Sequence, residues 1–236
     1  MTTPITAALN IGFLIFPNMD QCDFTNPFEV LSRLPNAVCH IAWKTVAPVA
    51  DMKGLVFQPT VTLAACLPLD ILVVPGGYGQ QDLMDDAEVI AFIAKHSQAA
   101  KYVLGVCTGV LALGAAGVLK GKRATTHWTA HEVLQHLGAT PVKARVVHDG
   151  KLVTAAGVTA GIDGALSVAA LACGDTVAQE IQLYMEYDPQ PPFASGSPEQ
   201  APAAVLATVR GRATAITEAR VATGRRIGAA LGLASR

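Results

Sequence analysis

Gly105-Val106-Cys107-Thr108-Gly109 places a thiol where an apolar strand pattern stops and a glycine-spaced helical pattern begins. The G-x-C-x-G spacing is the thiol counterpart of a nucleophile elbow, whose glycines permit a sharp strand-to-helix turn and leave the central side chain strained and exposed at the sheet edge. Unpaired amides and the helix dipole at that point favour negative charge, so the expectation is a lowered thiol pKa and a raised thiolate fraction. The competing reading is a buried cysteine acting as a small apolar filler.

Other groups fall where they would meet that thiol. Asp23 follows the strand-like run IGFLIFP and reaches the same sheet edge if both strands are parallel. The next helix start has its own signals, with Asn26 as N-cap, Pro27 at the first helical position and Glu29 at the third, which leaves Asp23 free. In a partly desolvated cleft its carboxyl would rise in pKa and pass protons to and from a substrate, unless it is an ordinary loop aspartate. Val74-Pro75-Gly76-Gly77 follows the most apolar strand. The Gly76 and Gly77 amides offer donors for developing negative charge, or the pair is a tight turn. The Thr108 hydroxyl can hydrogen-bond thiolate, carboxylate or water, or simply start a helix. His127, in RATTHW, is a general base for Cys107 or a hydrogen-bonded structural ring. His131-Glu132 reads as solvated helix surface.

Positioning these groups requires alternating elements. Strands are expected at IGFLIFP, AVCHIAWK, DILVVPGG, KYVLGVC, RATTHW, ARVVHDG and KLVTAAG, with helices near 27–34, 84–100, 108–119, 129–137 and 160–187. Repeated βαβ units with nearly continuous apolar strands predict an α/β fold: a doubly wound, mostly parallel sheet with helices on both faces and ligands beyond the carboxyl ends of the strands. That domain is expected over residues 1–187. Residues 188–198, DPQPPFASGSP, interrupt the helical pattern, and 188–236 reads as a Pro-rich linker and a C-terminal helical extension, one long or interrupted helix packed on the core or on a second subunit.

Composition excludes several function classes. The 236 residues are 51% hydrophobic and carry a formal net charge of -1, which gives no strong field for nucleic acid or an anionic membrane. The first residues lack the basic region of a secretory signal and are too short an apolar run to span a bilayer, so the cytoplasm is the expected location. Five cysteines without a C-x-x-C spacing disfavour a disulfide framework and a zinc site. No G-x-G-x-x-G follows a strand and no Walker A lysine appears, so neither metal nor organic cofactor is expected.

Taken together, FLIFP, Asp23-Phe24-Thr25, PGG, VCTG, LGAAGVLKGKRATTHW and TAGID resemble the DJ-1/PfpI superfamily over about residues 8 to 200. Threonine after the cysteine, aspartate where many relatives use glutamate, and the tail PPFASGSP resemble the branch that hydrates isocyanides. The resemblance implies a homodimer with a small-molecule isocyanide substrate, Cys107 as nucleophile, Asp23 as acid/base partner and Thr108 as assisting hydrogen-bonder, with Gly76 and Gly77 against the substrate and His127 and Val158 as further pocket candidates. A DJ-1-like thiol redox sensor is the alternative. Threonine rather than histidine after the cysteine argues against the peptidase branch, and the absence of a downstream H-x-E pair argues against amidotransferase work. AraC-type regulators share GKRATTHW, but two helix-turn-helix motifs would not fit after residue 200.

Overall fold

Strands whose sequence is apolar at every position need cover on both faces, and the runs Ile71–Val74 and Val103–Val106 lie buried at the middle of the sheet. The computed structural model describes residues 8–233. Its elements are β1 (Leu9–Leu14), α1 (Gln21–Leu31), β2 (Ala37–Trp43), β3 (Val49–Ala50), β4 (Val56–Phe57), β5 (Val61–Thr62) and β6 (Ile71–Val74). There follow α2 (Gln80–Leu83), α3 (Ala87–Ala99), β7 (Tyr102–Val106), α4 (Gly109–Ala115), β8 (Arg123–Ala124) and a 3-10 turn (Trp128–Ala130). The chain then forms α5 (Val133–His136), β9 (Thr140–Pro141), β10 (Val146–Asp149), β11 (Leu152–Ala155), α6 (Ala160–Cys173), α7 (Asp175–Tyr184) and α8 (Ala203–Ala230).

The main sheet has the order β10-β11-β7-β6-β1-β2-β5, and only the β10–β11 pair is antiparallel. The winding reverses between β1 and β6, which opens a crevice at their carboxyl ends, where ligands bind in doubly wound sheets. Phe13 of β1 meets Phe24 and Phe28 of α1 at ring-centroid distances of 5.8 and 5.1 Å, fixing α1 on one sheet face. Burying each such ring contributes about 2 kcal/mol. Close approach of α6 to the sheet needs Gly164, where a Cβ would lie 3.0 Å from Leu104 Cδ1.

Several expected elements are corrected. The first helix begins at Gln21 rather than near 27, because Asp20 is the N-cap, its side chain accepting the Cys22 amide at 3.1 Å. Asn26 and Pro27 are therefore interior helix residues, and Asp23 sits in the first turn rather than in a loop. The expected helix over 160–187 is two helices, broken at Gly174 with φ 91°. The 129–137 helix is a 3-10 turn followed by the four-residue α5. RATTHW contributes only β8, which pairs with β9 outside the main sheet.

The C-terminal segment forms one uninterrupted helix. The buried residues of α8 are Arg220, Thr223, Gly224, Ile227 and Gly228, and they pack across α4, α5 and the 3-10 turn. A Cβ on Gly228 would run into the His136 carbonyl oxygen, so α8 and α5 meet there almost backbone to backbone. Gln81 Nε2 donates to Thr223 Oγ1 at 2.8 Å, and Arg226 pairs with Asp85 at 2.7 Å, tying α8 to the segment after β6.

Candidate functional site

β7 ends at Val106 and the chain turns into α4 through Cys107, whose φ of 54° lies in the left-handed region that non-glycine residues avoid. Such a conformation costs on the order of 1–3 kcal/mol and persists where the surroundings over-determine it. Here the Cys107 amide donates to the Ala155 carbonyl at 2.9 Å, and the Cys107 carbonyl accepts Thr126 Oγ1 at 2.6 Å. The flanking glycines are required by space: a Cβ on Gly105 would lie 2.7 Å from Leu113 Cδ1, and one on Gly109 2.6 Å from the Pro75 carbonyl carbon.

Two chain segments converge on this elbow. The first turn of α1 brings Asp23, which is fully buried. The turn after β6 brings Gly76, whose N–H donates to Asp23 Oδ2 at 3.1 Å, and Gly77, whose N–H donates to Thr108 Oγ1 at 3.2 Å. The Thr108 hydroxyl in turn lies 3.3 Å from the Gly77 carbonyl. Both glycine amides are thus engaged by side chains of the site, in place of the free donors expected from the sequence. Asp23 faces the Cys107 thiol closely enough that each shifts the other's titration, yet Asp23 Oδ1 remains buried without a well-formed hydrogen bond.

The electrostatics overturn one expectation. Burial, reinforced by the negative charge of Asp20, pushes the Asp23 carboxyl up to about 8, against opposing hydrogen bonds from Cys107 and Gly76. Burial also pushes the Cys107 thiol well above its ordinary value; the Asp23 charge adds to this, while the Thr108 amide and Arg220 oppose it. The thiol is not acidified by the helix start, because losing water costs the thiolate more than one aligned amide returns. Nor is it exposed: Cys107 is 6% accessible, at the floor of the elbow. Burial thus favours the protonated form of both carboxyl and thiol, and each group's negative charge would oppose the other's.

The remaining candidates lie around this centre. Burial and the nearby Arg220 charge lower His127 to about 4, so its ring is neutral at physiological pH. Its Nδ1 is 2.8 Å from Thr129 Oγ1 and its ring lies against Gly157, where a Cβ would stand 2.8 Å from Cδ2; among the described residues the ring bonds to Thr129 and not to the thiol. Val158 is half-buried in the turn opening α6, its carbonyl accepting the Gly161 amide at 3.2 Å. The Cys22 sulfur accepts Gln21 Nε2 at 2.7 Å. His131, expected on a solvated face, has a buried Nε2. It borders an open cleft of about 400 Å³ with Trp128, Glu132 and Lys143, and neither this cleft nor a smaller one beside Trp128 is lined by Cys107 or Asp23. Among the described residues no cluster of His, Cys, Asp and Glu could hold a metal ion, and no helix is long and apolar enough to cross a membrane.

Sequence reasoning missed Arg220. It is 5% exposed, and its guanidinium donates to the Gly77 carbonyl at 2.9 Å from α8. The signal was spacing: Arg220, Thr223, Gly224, Ile227 and Gly228 recur at helical intervals, marking the buried stripe of the C-terminal helix.

Comparison with known proteins bears on this geometry. Residues 10–171 match the model of the DJ-1/PfpI family. The chain is 50% identical over 226 residues to an isonitrile hydratase of Pseudomonas putida, covering 96% of this chain and 99% of that protein. It is 26% identical to protein DJ-1alpha of Drosophila melanogaster, covering 78% and 87% of the two chains. A crystal structure of a THiJ/PfpI family protein from Pseudomonas syringae superposes with a TM-score of 0.91 at 40% identity, covering 94% of this chain and 92% of that one.

Proposed function

The chain belongs to the DJ-1/PfpI family, and from that premise we propose that it is an isocyanide hydratase, adding water to R–N≡C to give an N-substituted formamide, with Cys107 as nucleophile, Asp23 as acid/base and Thr108 as a hydrogen-bonding partner. Likeness to the Pseudomonas putida isonitrile hydratase over nearly the whole of both chains supports the substrate class. The observation that carries the chemistry is the buried carboxyl, titrating at about 8, held against a thiol at a strained strand-to-helix turn.

Hydrating an isocyanide requires a proton and a nucleophile on the same terminal carbon. Asp23, protonated at neutral pH, gives its proton to that carbon while the Cys107 sulfur bonds to it. The thiol proton returns to the Asp23 carboxylate, so that S–H has added across the carbon to form the thioimidate R–N=CH–S–Cys. Water then adds to this carbon. One of its protons goes to nitrogen and the other, through Asp23, to the departing sulfur as the C–S bond breaks, releasing R–NH–CHO and the free thiol. Two easier steps replace one difficult addition. Thr108, linked to Gly77 through its hydroxyl, fixes the loop that aims the carboxyl.

A redox-sensor reading requires an acidic, accessible thiol; the burial of Cys107 and the direction of its shift give that reading less support than the hydratase. A homodimer in the cytoplasm accompanies the proposed activity, the exposed Leu183, Tyr184 and Phe193 offering apolar surface for association. The test is direct: purified protein incubated with a simple alkyl or aryl isocyanide yields the formamide, and the Cys107→Ala variant yields none. Formamide at the wild-type rate from Cys107→Ala would remove the covalent route.

A further inference from the structure

The part of the chain that lies beyond the family-defining segment, residues 10–171, sends a charged group back into the site. Arg220 is buried, its carbonyl partner Gly77 is the residue whose amide binds Thr108, and Thr108 adjoins the thiol. A buried guanidinium is ordinarily matched by a carboxylate. Among the described residues no carboxylate forms an ion pair with Arg220, the Cys107 thiol acts on it electrostatically, and its Nε is buried with no hydrogen-bond partner.

We propose that Arg220, carried on the C-terminal helix, is the positioning residue whose fixed positive charge stabilises negative charge on the Cys107 sulfur during the reaction. The inference rests on the hydratase reading for its chemical use. Sulfur is electron-rich twice in that sequence, as it approaches the isocyanide carbon and as it leaves the tetrahedral intermediate. Each time it does so at a buried position beside Asp23, which opposes that charge. The groups acting on the sulfur are Asp23 from α1, the Thr108 amide at the start of α4 and Arg220 from α8. Of the neighbouring side chains His127 is held neutral, so among the described residues acting on the sulfur Arg220 is the cation. Preorganised charge of this kind acts strongly where water is excluded.

The experiment measures Cys107 ionisation without any isocyanide, by ultraviolet thiolate absorbance of each protein minus its Cys107→Ser counterpart across pH, with alkylation by iodoacetamide as a second readout. In Arg220→Gln the ionisation midpoint is expected to move up by about one pH unit or more, a roughly tenfold smaller thiolate fraction at a given pH, and Arg220→Lys to recover most of the shift. Thr223→Val, which cuts the Gln81 tie while keeping the charge, leaves the midpoint in place. An unchanged midpoint in folded Arg220→Gln overturns the proposal, and so does an equal shift in Thr223→Val, which would assign the effect to helix docking. If Arg220→Gln does not fold, Arg220→Lys decides: a midpoint near the wild type supports the role, and a shift of about a unit overturns it. Absence of formamide from the wild type would refute the hydratase reading while leaving this titration interpretable.

Discussion

The backbone N–H of Gly76 donates to Asp23 Oδ2 at 3.1 Å, joining the end of β6 to the first turn of α1. The same glycine leaves no room for a side chain: a Cβ there would lie 2.6 Å from both the Thr108 amide nitrogen and Oγ1, and 2.9 Å from Asp23 Oδ2. Carboxyl and hydroxyl close around a missing methyl group.

Gly76→Ala is therefore expected to damage the site as well as the fold. The obstructing atoms belong to backbone, an engaged hydroxyl and a buried carboxyl, none of which can retreat like the tip of a flexible chain. The expected cost is about 1–3 kcal/mol, read in chemical melts, together with at least a roughly tenfold fall in formamide production. Wild-type values in both assays would contradict this account of the turn.

Asp23→Asn should lower turnover by about 10²–10⁴-fold, the range of a lost general acid/base, while the protein stays folded. Since the carboxyl acts in its protonated form and titrates at about 8, the wild-type rate should fall as pH rises through about 8. The stability effect has a definite sign. The folded pKa is raised above its ordinary 3.8, so the carboxyl's contribution is complete below about pH 4 and is lost as pH rises to about 8. Urea melts at about pH 5 and about pH 9 should show a smaller loss on alkalinisation in Asp23→Asn than in the wild type; an equal loss in both would place the ionisation elsewhere.

Replacing Cys107 separates strain from chemistry. Cys107→Ala and Cys107→Gly should both be inactive, but the glycine variant should be more stable than the alanine variant by about 1 kcal/mol, because φ of 54° costs glycine nothing and strains alanine. Equal stabilities would mean that the turn relaxes on substitution.

His127 should stay neutral through the physiological range, since burial and Arg220 hold it at about 4. Its imidazole resonances should not titrate between about pH 5.5 and pH 8, and the rate profile should lack a limb near the ordinary histidine value. A midpoint near 6.5 would show the ring to be more hydrated than the structure has it.

The sheet was legible wherever apolar runs end in turn residues, as at Ile71–Val74 before Pro75-Gly76-Gly77 and at Tyr102–Val106 before Cys107. Helix starts were less legible. Pro27 looks like a first helical residue, yet Asp20 captures the Cys22 amide six residues before Asn26 and the helix runs through the proline. Gly174 within an alanine-rich stretch gave no sequence cue strong enough to divide α6 from α7. The convergence of Asp23, Gly76 and Cys107 follows from parallel strands ending at one edge. The arrival of Arg220 does not, because it arises when α8 lies across α5 and the loop after β6, contacts that span more than 80 residues of sequence.

The position of α8 in the chain also sets an order of events during synthesis. Every strand of the sheet, the thiol and its carboxyl neighbour emerge from the ribosome before Ala203–Ala230 does. Until then the Gly77 carbonyl and the Gln81 amide, which α8 later engages, are open to solvent or to other cellular polymers. A growing chain can thus fold its α/β layers while its thiol still lacks a guanidinium neighbour, and a later stretch delivers that charge to a reactive centre whose thiol lies more than a hundred residues earlier in the chain.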